Sequence, residues 1–419
     1  MTNTPKGLRL HIGIFGRRNT GKSSVLNALV GQNVSIVSDV AGTTTDPVEK
    51  TMELKPIGPV VFIDTAGIDD VGSLGNRRVS KTRQVIDRTE LAILVTDQWT
   101  DYEKQLLAMF DAKHIPFVVA ANKLDLRTDK TLELAAADAG AVLVAATSAL
   151  TGAGIEQLRE KIITATPQEF IESAPVIADL IKPGDIVLLV TPIDIEAPKG
   201  RLKMLQVHCM REILDKDASA IVTKETELPN ILTSLVRPPA LVVCDSQVFD
   251  KVAAIVDEAI PLTTFSILMA RFKGDLAEMI KGIEVIKNLA PGDKVLIAEA
   301  CTHHPIGEDI GRVQIPDLLE KQVGGKLHFD VLAGRDFPDD LGKYKLIIHC
   351  GACVFNRKEM LSRTALAKSA NVPITNYGLV ITDCHHLLSR ALAPLFYRAM
   401  ISQTCEEKSV LQEKYQPIS

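Results

Sequence analysis

The octapeptide Gly16-Arg17-Arg18-Asn19-Thr20-Gly21-Lys22-Ser23 dictates a strand, a tight loop and a helix, in that order. A Gly-x-x-x-x-Gly-Lys-Ser run has this meaning only in the right setting. Here the apolar run 8–15 precedes it and a helical stretch, 23–30, follows. In that setting the loop's backbone N–H groups and the helix N-terminus cradle phosphate oxygens. Further apolar runs at 60–63, 91–96, 117–121 and 141–145 alternate with amphipathic stretches. Strands apolar along their whole length, separated by helices, predict a mainly parallel sheet covered on both faces. The fold class expected is therefore α/β.

Three more motifs follow in chain order. Asp64-Thr65-Ala66-Gly67 ends the run 60–63, Asn122-Lys123-Leu124-Asp125 ends the run 117–121, and Thr147-Ser148-Ala149 follows the next strand. A carboxylate at Asp125 can accept from both N1–H and N2–H of guanine, which adenine cannot offer. The set predicts GTP and magnesium as ligands, with hydrolysis as the activity. Gly16, Asn19, Thr20, Gly21, Lys22, Ser23 and Ser24 would surround the phosphates, with Lys22 reaching the β- and γ-phosphates and Ser23 ligating magnesium. Asp64 would sense magnesium and Gly67 the γ-phosphate. Thr44, in the switch-like run Gly42-Thr43-Thr44-Thr45-Asp46, would contact both. Asn122, Lys123, Asp125, Ser148 and Ala149 would hold the base. Lys22, Thr44, Asp64 and Gly67 form the expected catalytic group.

This region resembles the potassium-dependent GTPases related to TrmE, Era and Der. Asn19 stands where those enzymes supply a potassium ligand, and Ile68 where Ras-like enzymes place a water-orienting Gln. The resemblance implies slow intrinsic hydrolysis, with potassium in the place of an arginine finger.

At 419 residues the chain calls for more than one core. Its 46% hydrophobic and 24% charged composition is that of a globular protein, and the net charge of -5 argues against a general nucleic-acid binder. Seven cysteines thinly spread do not make a disulfide framework. Residues 1–9 are polar, and no run reaches the roughly 18 apolar residues that span a bilayer. A cytoplasmic protein with reduced thiols and no membrane contact is expected.

Beyond the linker-like stretch 164–175, Lys182-Pro183-Gly184-Asp185 feeds the apolar run 186–190, and Ala290-Pro291-Gly292-Asp293 feeds 294–298. These are either an internal repeat or two turns of one type. Other expected elements are strands at 220–223, 240–244, 262–267, 329–332 and 346–349, and a helix over 246–259. Three α/β domains follow: residues 1–168 for the nucleotide, 175–265 in the middle, and 266–410 carrying most of the cysteines.

In that last region Cys301-Thr302-His303 is answered, with 45 residues between, by His349-Cys350-Gly351-Ala352-Cys353. Each half ends an apolar run, so both should emerge at one edge of a parallel sheet. Three thiolates with a fourth ligand suit either zinc or an iron-sulfur cluster. His303, His349 and Glu308 are candidates for the fourth position. Cys384-His385-His386 and His208-Cys209 read as a buried Cys beside surface histidines and as core, and Cys244 and Cys405 are not ligand candidates.

The paired motifs resemble the signature of the HydF family, GTPases that mature iron-iron hydrogenases. The resemblance runs the length of the chain: GTPase, dimerisation and cluster domains in that order. It implies a 4Fe-4S cluster on Cys301, Cys350 and Cys353 with a variable fourth ligand, and a homodimer. It also implies a scaffold that receives a di-iron precursor from the radical enzymes HydE and HydG and passes it to apo iron-iron hydrogenase. Two other readings compete: a redox-sensing metabolic or transport GTPase, and an Era- or Der-type RNA-associated GTPase with structural zinc. The latter needs a basic module, yet residues 266–419 hold 19 Lys and Arg against 18 Asp and Glu.

Overall fold

The computed structural model describes residues 6–31, 48–65, 84–126, 130–171, 175–192, 202–300, 309–338 and 340–399. The chain divides into two compact units, Met1–Ala174 with Phe355–Ser362, and Pro175–Val354 with Arg363–Ser419.

In the first unit the strands are β1 (Leu10–Phe15), β2 (Val48–Leu54), β3 (Gly58–Asp64), β4 (Leu91–Thr96), β5 (Phe117–Ala121) and β6 (Val144–Ala146). Its helices include α1 (Lys22–Val30), α2 (Asp101–Ala112), α3 (Thr131–Asp138) and α4 (Ile155–Ala165). The sheet order is β2-β3-β1-β4-β5-β6, parallel except for β2 against β3. Alternate residues of each inner strand face opposite layers. Ile12, Ile14 and Phe62 pack with Val25 and Leu29 on one side, while Phe15, Ile63 and Leu94 pack with Phe110 on the other. Burial on both faces is why β1 and β4 are apolar at every position but one or two.

The second unit contains two parallel sheets of four strands. Its first half runs β7 (Ile186–Val190), α5 (Met204–Asp215), β8 (Ser219–Thr223), α6 (Leu228–Ser234), β9 (Leu241–Cys244), α7 (Phe249–Ile255), β10 (Leu262–Thr264) and α8 (Phe265–Lys273). After α9 (Leu276–Glu284), the second half runs β11 (Lys294–Glu299), α10 (Ile315–Val323), β12 (His328–Ala333), β13 (Leu346–His349), α11 (Arg357–Ser369, of which Arg363–Ser369 falls in this unit), β14 (Ile374–Asn376) and α12 (Tyr377–Cys384). A last helix, α13 (Leu388–Ala399), closes the unit.

The two sheets have one topology. Their orders are β10-β9-β7-β8 and β14-β13-β11-β12, so each half counts fourth, third, first, second. The agreement extends to single hydrogen bonds. Each half opens on a Pro-Gly turn with the glycine in the left-handed region, Gly184 at φ 80° and Gly292 at φ 91°. Asp185 N donates to Lys182 O at 3.1 Å and Asp293 N to Ala290 O at 3.0 Å. The Asp185 and Asp293 carboxylates accept from Lys182 N and Ala290 N at 2.7 and 2.9 Å. Gly184 N reaches Asp217 O and Gly292 N reaches Lys326 O, both at 2.8 Å. Thr264 caps α8 and Asn376 caps α12 through side-chain bonds to the N–H three residues on. The matching Pro-Gly-Asp turns are thus the visible part of a structural repeat.

The halves interlock. Asn376 Nδ2 donates to Ser266 O at 3.0 Å, and Arg390 of α13 donates to Ala253 O at 2.8 Å. The inner strands β7, β9, β11 and β13 are almost wholly buried, whereas the edge strands β8 and β12 are largely open. Among the described residues no helix is long and apolar enough to cross a membrane.

The expected strand over 262–267 stops at Thr264, because the Thr264 hydroxyl caps a helix that starts at Phe265. The expected helix over 246–259 is a 3-10 turn, Ser246–Val248, leading into α7.

Candidate nucleotide and cluster sites

The phosphate loop leaves β1 and enters α1, and three sequence-distant motifs close on it. Lys22 Nζ donates to Gly16 O at 2.9 Å and to Arg17 O at 2.6 Å, which holds the ammonium against the loop. Thr20 Oγ1 donates to Arg17 O at 3.0 Å. Asn19 stands exposed at φ 62°, a left-handed conformation that Asn tolerates better than most residues. Ser24 is exposed in the first turn of α1.

Ser23 Oγ donates to Asp64 Oδ2 at 2.5 Å. Burial pushes the Asp64 carboxyl above its usual range, against the Ser23 hydrogen bond and the Lys22 charge. Its other oxygen, Oδ1, is buried with no hydrogen-bond partner among the described residues. A hydroxyl and a carboxylate in contact, with one buried oxygen to spare, fit a magnesium ion beside the phosphates. Thr44 and Gly67 lie outside the described residues.

Asn122, nearly fully buried, joins the pieces. Its Nδ2 donates to Thr20 O at 2.9 Å, and its Oδ1 accepts from Thr147 Oγ1 at 3.3 Å and Ala149 N at 3.2 Å. A Cβ on Gly21 would lie 2.4 Å from Asn122 Nδ2, so that approach requires glycine. Ser148 Oγ donates to Asp125 Oδ1 at 2.5 Å, which orients the exposed carboxylate expected to meet guanine. Lys123, at φ 61°, sends its ammonium to Asp97 Oδ2 at 2.6 Å. The 16–23 loop and the segments at 122–125 and 147–149 are therefore joined through Asn122 and the Ser148–Asp125 bond.

One contributor was not singled out from the sequence. Arg17 Nε donates to Glu103 Oε1 at 2.9 Å, and Glu103, fully buried, also accepts from Thr100 N at 2.9 Å. The Thr100-x-x-Glu103 capping box is legible in sequence, and it fixes the carboxylate that anchors the phosphate loop.

In the second unit, β11 and β13 are adjacent and parallel, with Ala298 beside His349. Cys350 therefore begins at the sheet edge where β11 ends, and Cys350 N donates to Ala298 O at 2.9 Å. Cys350 Sγ accepts from Ala300 N at 3.1 Å and from Ala352 N at 3.4 Å. Burial pushes the Cys350 thiol up to about 11, while those amides and the Arg363 charge favour thiolate. Cys353 is exposed. Two amide donors aimed at a half-buried sulfur, with an exposed second cysteine three residues on, fit a thiolate-held metal or cluster.

Cys301, His303 and Glu308 lie outside the described residues, so of the predicted ligand set only Cys350, Cys353 and His349 are described. Among the described residues no group of three His, Cys, Asp or Glu side chains converges as a metal site. His349 is fully buried, with Nδ1 at 2.9 Å from Cys350 O and Nε2 at 3.0 Å from Arg363 Nη1. Burial, aided by the Arg363 charge, pulls it down to about 3. With both ring nitrogens engaged, His349 here organises the backbone beneath Cys350; ligation would require it to release one of these contacts. Cys209 and Cys244 are buried in apolar surroundings, and burial pushes the half-buried Cys384 thiol up to about 12.

Comparison with known proteins follows this division. Residues 11–123 match the 50S ribosome-binding GTPase family, 176–274 the hydrogen maturase F dimerization domain and 277–394 the hydrogen maturase F tetramerization domain. GTPase Der of Wolinella succinogenes is 37% identical over 131 residues, 30% of this chain and 28% of that protein. The tRNA modification GTPase MnmE of Aquifex aeolicus is 35% identical over 164 residues, 39% of this chain and 36% of that protein. The chain thus spans about a third of the length of these curated relatives. An Era variant of Aquifex aeolicus bound to GDP.AlF4- aligns with a TM-score of 0.32 at 23% identity, over 51% of this chain and 92% of that one. The first unit is a P-loop GTPase domain, and the chain is similar in sequence to Der and MnmE over part of its length. Behind it, the two maturase domains occupy more than half of the chain, and the chain belongs to the hydrogen maturase F (HydF) family.

Proposed function

We propose that this chain is a GTP-hydrolysing iron-sulfur scaffold that receives a di-iron precursor from HydE and HydG. It delivers that cargo to apo iron-iron hydrogenase, as a cytoplasmic homodimer. The observation that carries the reading is the strand pairing of β11 with β13. It brings the chain just before Cys301 and the turn at Cys350 to one sheet edge, inside the stretch that matches hydrogen maturase F. The division of labour is 1–168 for the nucleotide, 175–265 for dimerisation and 266–410 for the cluster. The 50S ribosome-binding GTPase match covers residues 11–123, inside the first unit.

In the nucleotide site Lys22 lies against the phosphate loop, where its charge stabilises the transferring phosphoryl group. Water adds to the γ-phosphorus as the bond to the β–γ bridging oxygen breaks, giving GDP and phosphate. Ser23, Thr44 and Asp64 would hold magnesium, and Asn19 would help hold potassium; both ions supply positive charge at the phosphates. Asp125, oriented by Ser148, reads the guanine edge. In the second unit Cys301, Cys350 and Cys353 would hold a 4Fe-4S cluster, which supplies an iron open to an exchangeable ligand. His303 and Glu308 are the better candidates for the fourth position, given the contacts His349 already makes.

Anaerobic purification tests the scaffold. A broad brown absorbance with about four irons per chain is expected; colourless protein with stoichiometric zinc would overturn it. Asp125→Asn should move preference from GTP to xanthosine triphosphate, and unchanged GTP affinity would sink the base assignment. Hydrolysis should run faster in potassium than in sodium at matched ionic strength.

A further inference from the structure

Lys273 is the last residue of α8, in the first half of the second unit, and it is 1% exposed. An ammonium this deeply buried needs compensating partners, because desolvation penalises the charge. Two of those partners lie on the cysteine loop of the other half of the repeat. Lys273 Nζ donates to Cys353 O at 3.1 Å and to Ala352 O at 3.3 Å. Its neighbour Arg271, by contrast, is only partly buried and pairs with Asp179 Oδ1 at 3.1 Å. The helix end therefore sends one cation outward and the other beneath Cys350-Gly351-Ala352-Cys353.

The loop it supports is bent. Ala352 sits at φ 50°, a conformation that costs an alanine energy and persists only where its surroundings impose it. In a trans peptide the N–H points opposite to the C=O. By drawing the Ala352 and Cys353 carbonyls toward itself, Lys273 turns the amides of Cys353 and Val354 the other way. A second buried cation, Arg363 of α11, flanks the turn from another element and bonds His349 Nε2 at 3.0 Å and Gly334 O at 2.9 Å.

We propose that Lys273 is a positioning residue for the cluster. It is a buried cation, lent by the first half of the repeat, that holds the Cys350–Cys353 loop in its ligating bend and stabilises the reduced form of a cluster bound there. The inference rests on the reading that Cys350 and Cys353 are cluster ligands. The electrostatic part follows because one-electron reduction adds negative charge to the cluster, and net charge and hydrogen bonding near the sulfurs set the potential. A nearby ammonium raises that potential.

The test uses the full-length chain, anaerobically reconstituted, with Lys273→Met and Lys273→Gln. Met keeps length and removes charge and donors; Gln keeps a donor without the charge. Midpoint potentials are read by EPR-monitored redox titration, with cluster content, dimer elution and thermal melting alongside. Both variants should bind a cluster whose reduction is about tenfold less favourable than in the wild type, about 59 mV lower for one electron. Gln should retain more cluster than Met. Unchanged potentials in cluster-loaded variants would overturn the proposal, as would cluster loss accompanied by loss of the fold in both, which would make Lys273 a structural residue only. Failure of the wild type to bind a cluster at all would instead overturn the ligand reading beneath it.

Discussion

The two halves of the second unit share a backbone and differ in what they place at the end of the third strand. In the first half, Cys244 closes β9 and Asp245 N donates to Val190 O at 3.3 Å; in the second, His349 closes β13 and Cys350 N donates to Ala298 O at 2.9 Å. Sheet order, opening turn and helix cap coincide, so the position itself is a product of topology. What occupies it is free to change. Asp245 is tied to Lys203 Nζ at 3.3 Å and Gln206 Nε2 at 3.4 Å, both from α5 or its start, and so serves the first half's own packing. Cys350 instead receives backbone N–H groups from two loops. One scaffold thus yields a closed polar clasp in one copy and an open thiol site in the other.

The largest expected effect tests that contrast directly. Cys350→Ser should abolish cluster binding, since serine oxygen is a harder and poorer iron ligand than thiolate, and leave GTP hydrolysis intact. Asp245→Ser, the same position in the other copy, should leave iron content unchanged. Iron and acid-labile sulfide per chain decide both; equal iron loss in the two variants would remove the distinction between the halves.

A second contrast concerns acid. Glu212 of α5 accepts from Val176 N, Ile177 N and Ala178 N within 2.9–3.0 Å. Burial works to raise its pKa, but the His208 bond and these amides outweigh it and hold the carboxyl below its ordinary 4.5. A depressed carboxylate contributes stability above about 4.5 and loses it as pH falls through the folded value. Glu212→Gln should cost roughly 2 kcal/mol at neutral pH, a penalty that shrinks below pH about 4.5. Chemical unfolding of the second unit at pH 7 and pH 4 checks this. A penalty independent of pH would show that the amides and not the charge carry the clasp.

The smallest effect sharpens the equivalence itself. Gly184→Ala and Gly292→Ala meet no atom within 4 Å, so each pays only for a left-handed alanine, about 1 kcal/mol. Equal shifts in the unfolding midpoint are expected. Costs differing by more than about 1 kcal/mol would mean that the two turns are not mechanically the same.

How much of this was readable beforehand depended on the range of the interaction. The first-unit strands at 60–63, 91–96 and 117–121 appear within a residue or a few of their expected bounds, because strands buried on both faces are apolar without interruption. Nothing in the sequence marks β2, Val48–Leu54: an antiparallel edge strand that is half-buried along much of its length mixes charged with apolar residues and carries no such run. The strand expected over 141–145 is β6, Val144–Ala146. The repeat was visible only as two Pro-Gly-Asp turns, since the rest of its likeness lies in hydrogen-bond register and not in residue identity.

The Gly16–Ser23 loop, the Asn122-Lys123-Leu124-Asp125 motif and the Cys-x-x-Cys pair were decided by sequence alone, for one physical reason. Each uses residues within a few positions of one another, so spacing along the chain is spacing in space. Pairing across distance was decided by the fold. Asn122 reaches Thr20 across 102 positions, Cys350 meets Ala300 across 50, and Lys273 reaches the cysteine loop across 80. Nothing local marks Lys273 as buried beside the partly buried Arg271. Only the packing of α8 beneath the turn after β13 separates them, because burial of a charge is a property of what surrounds it.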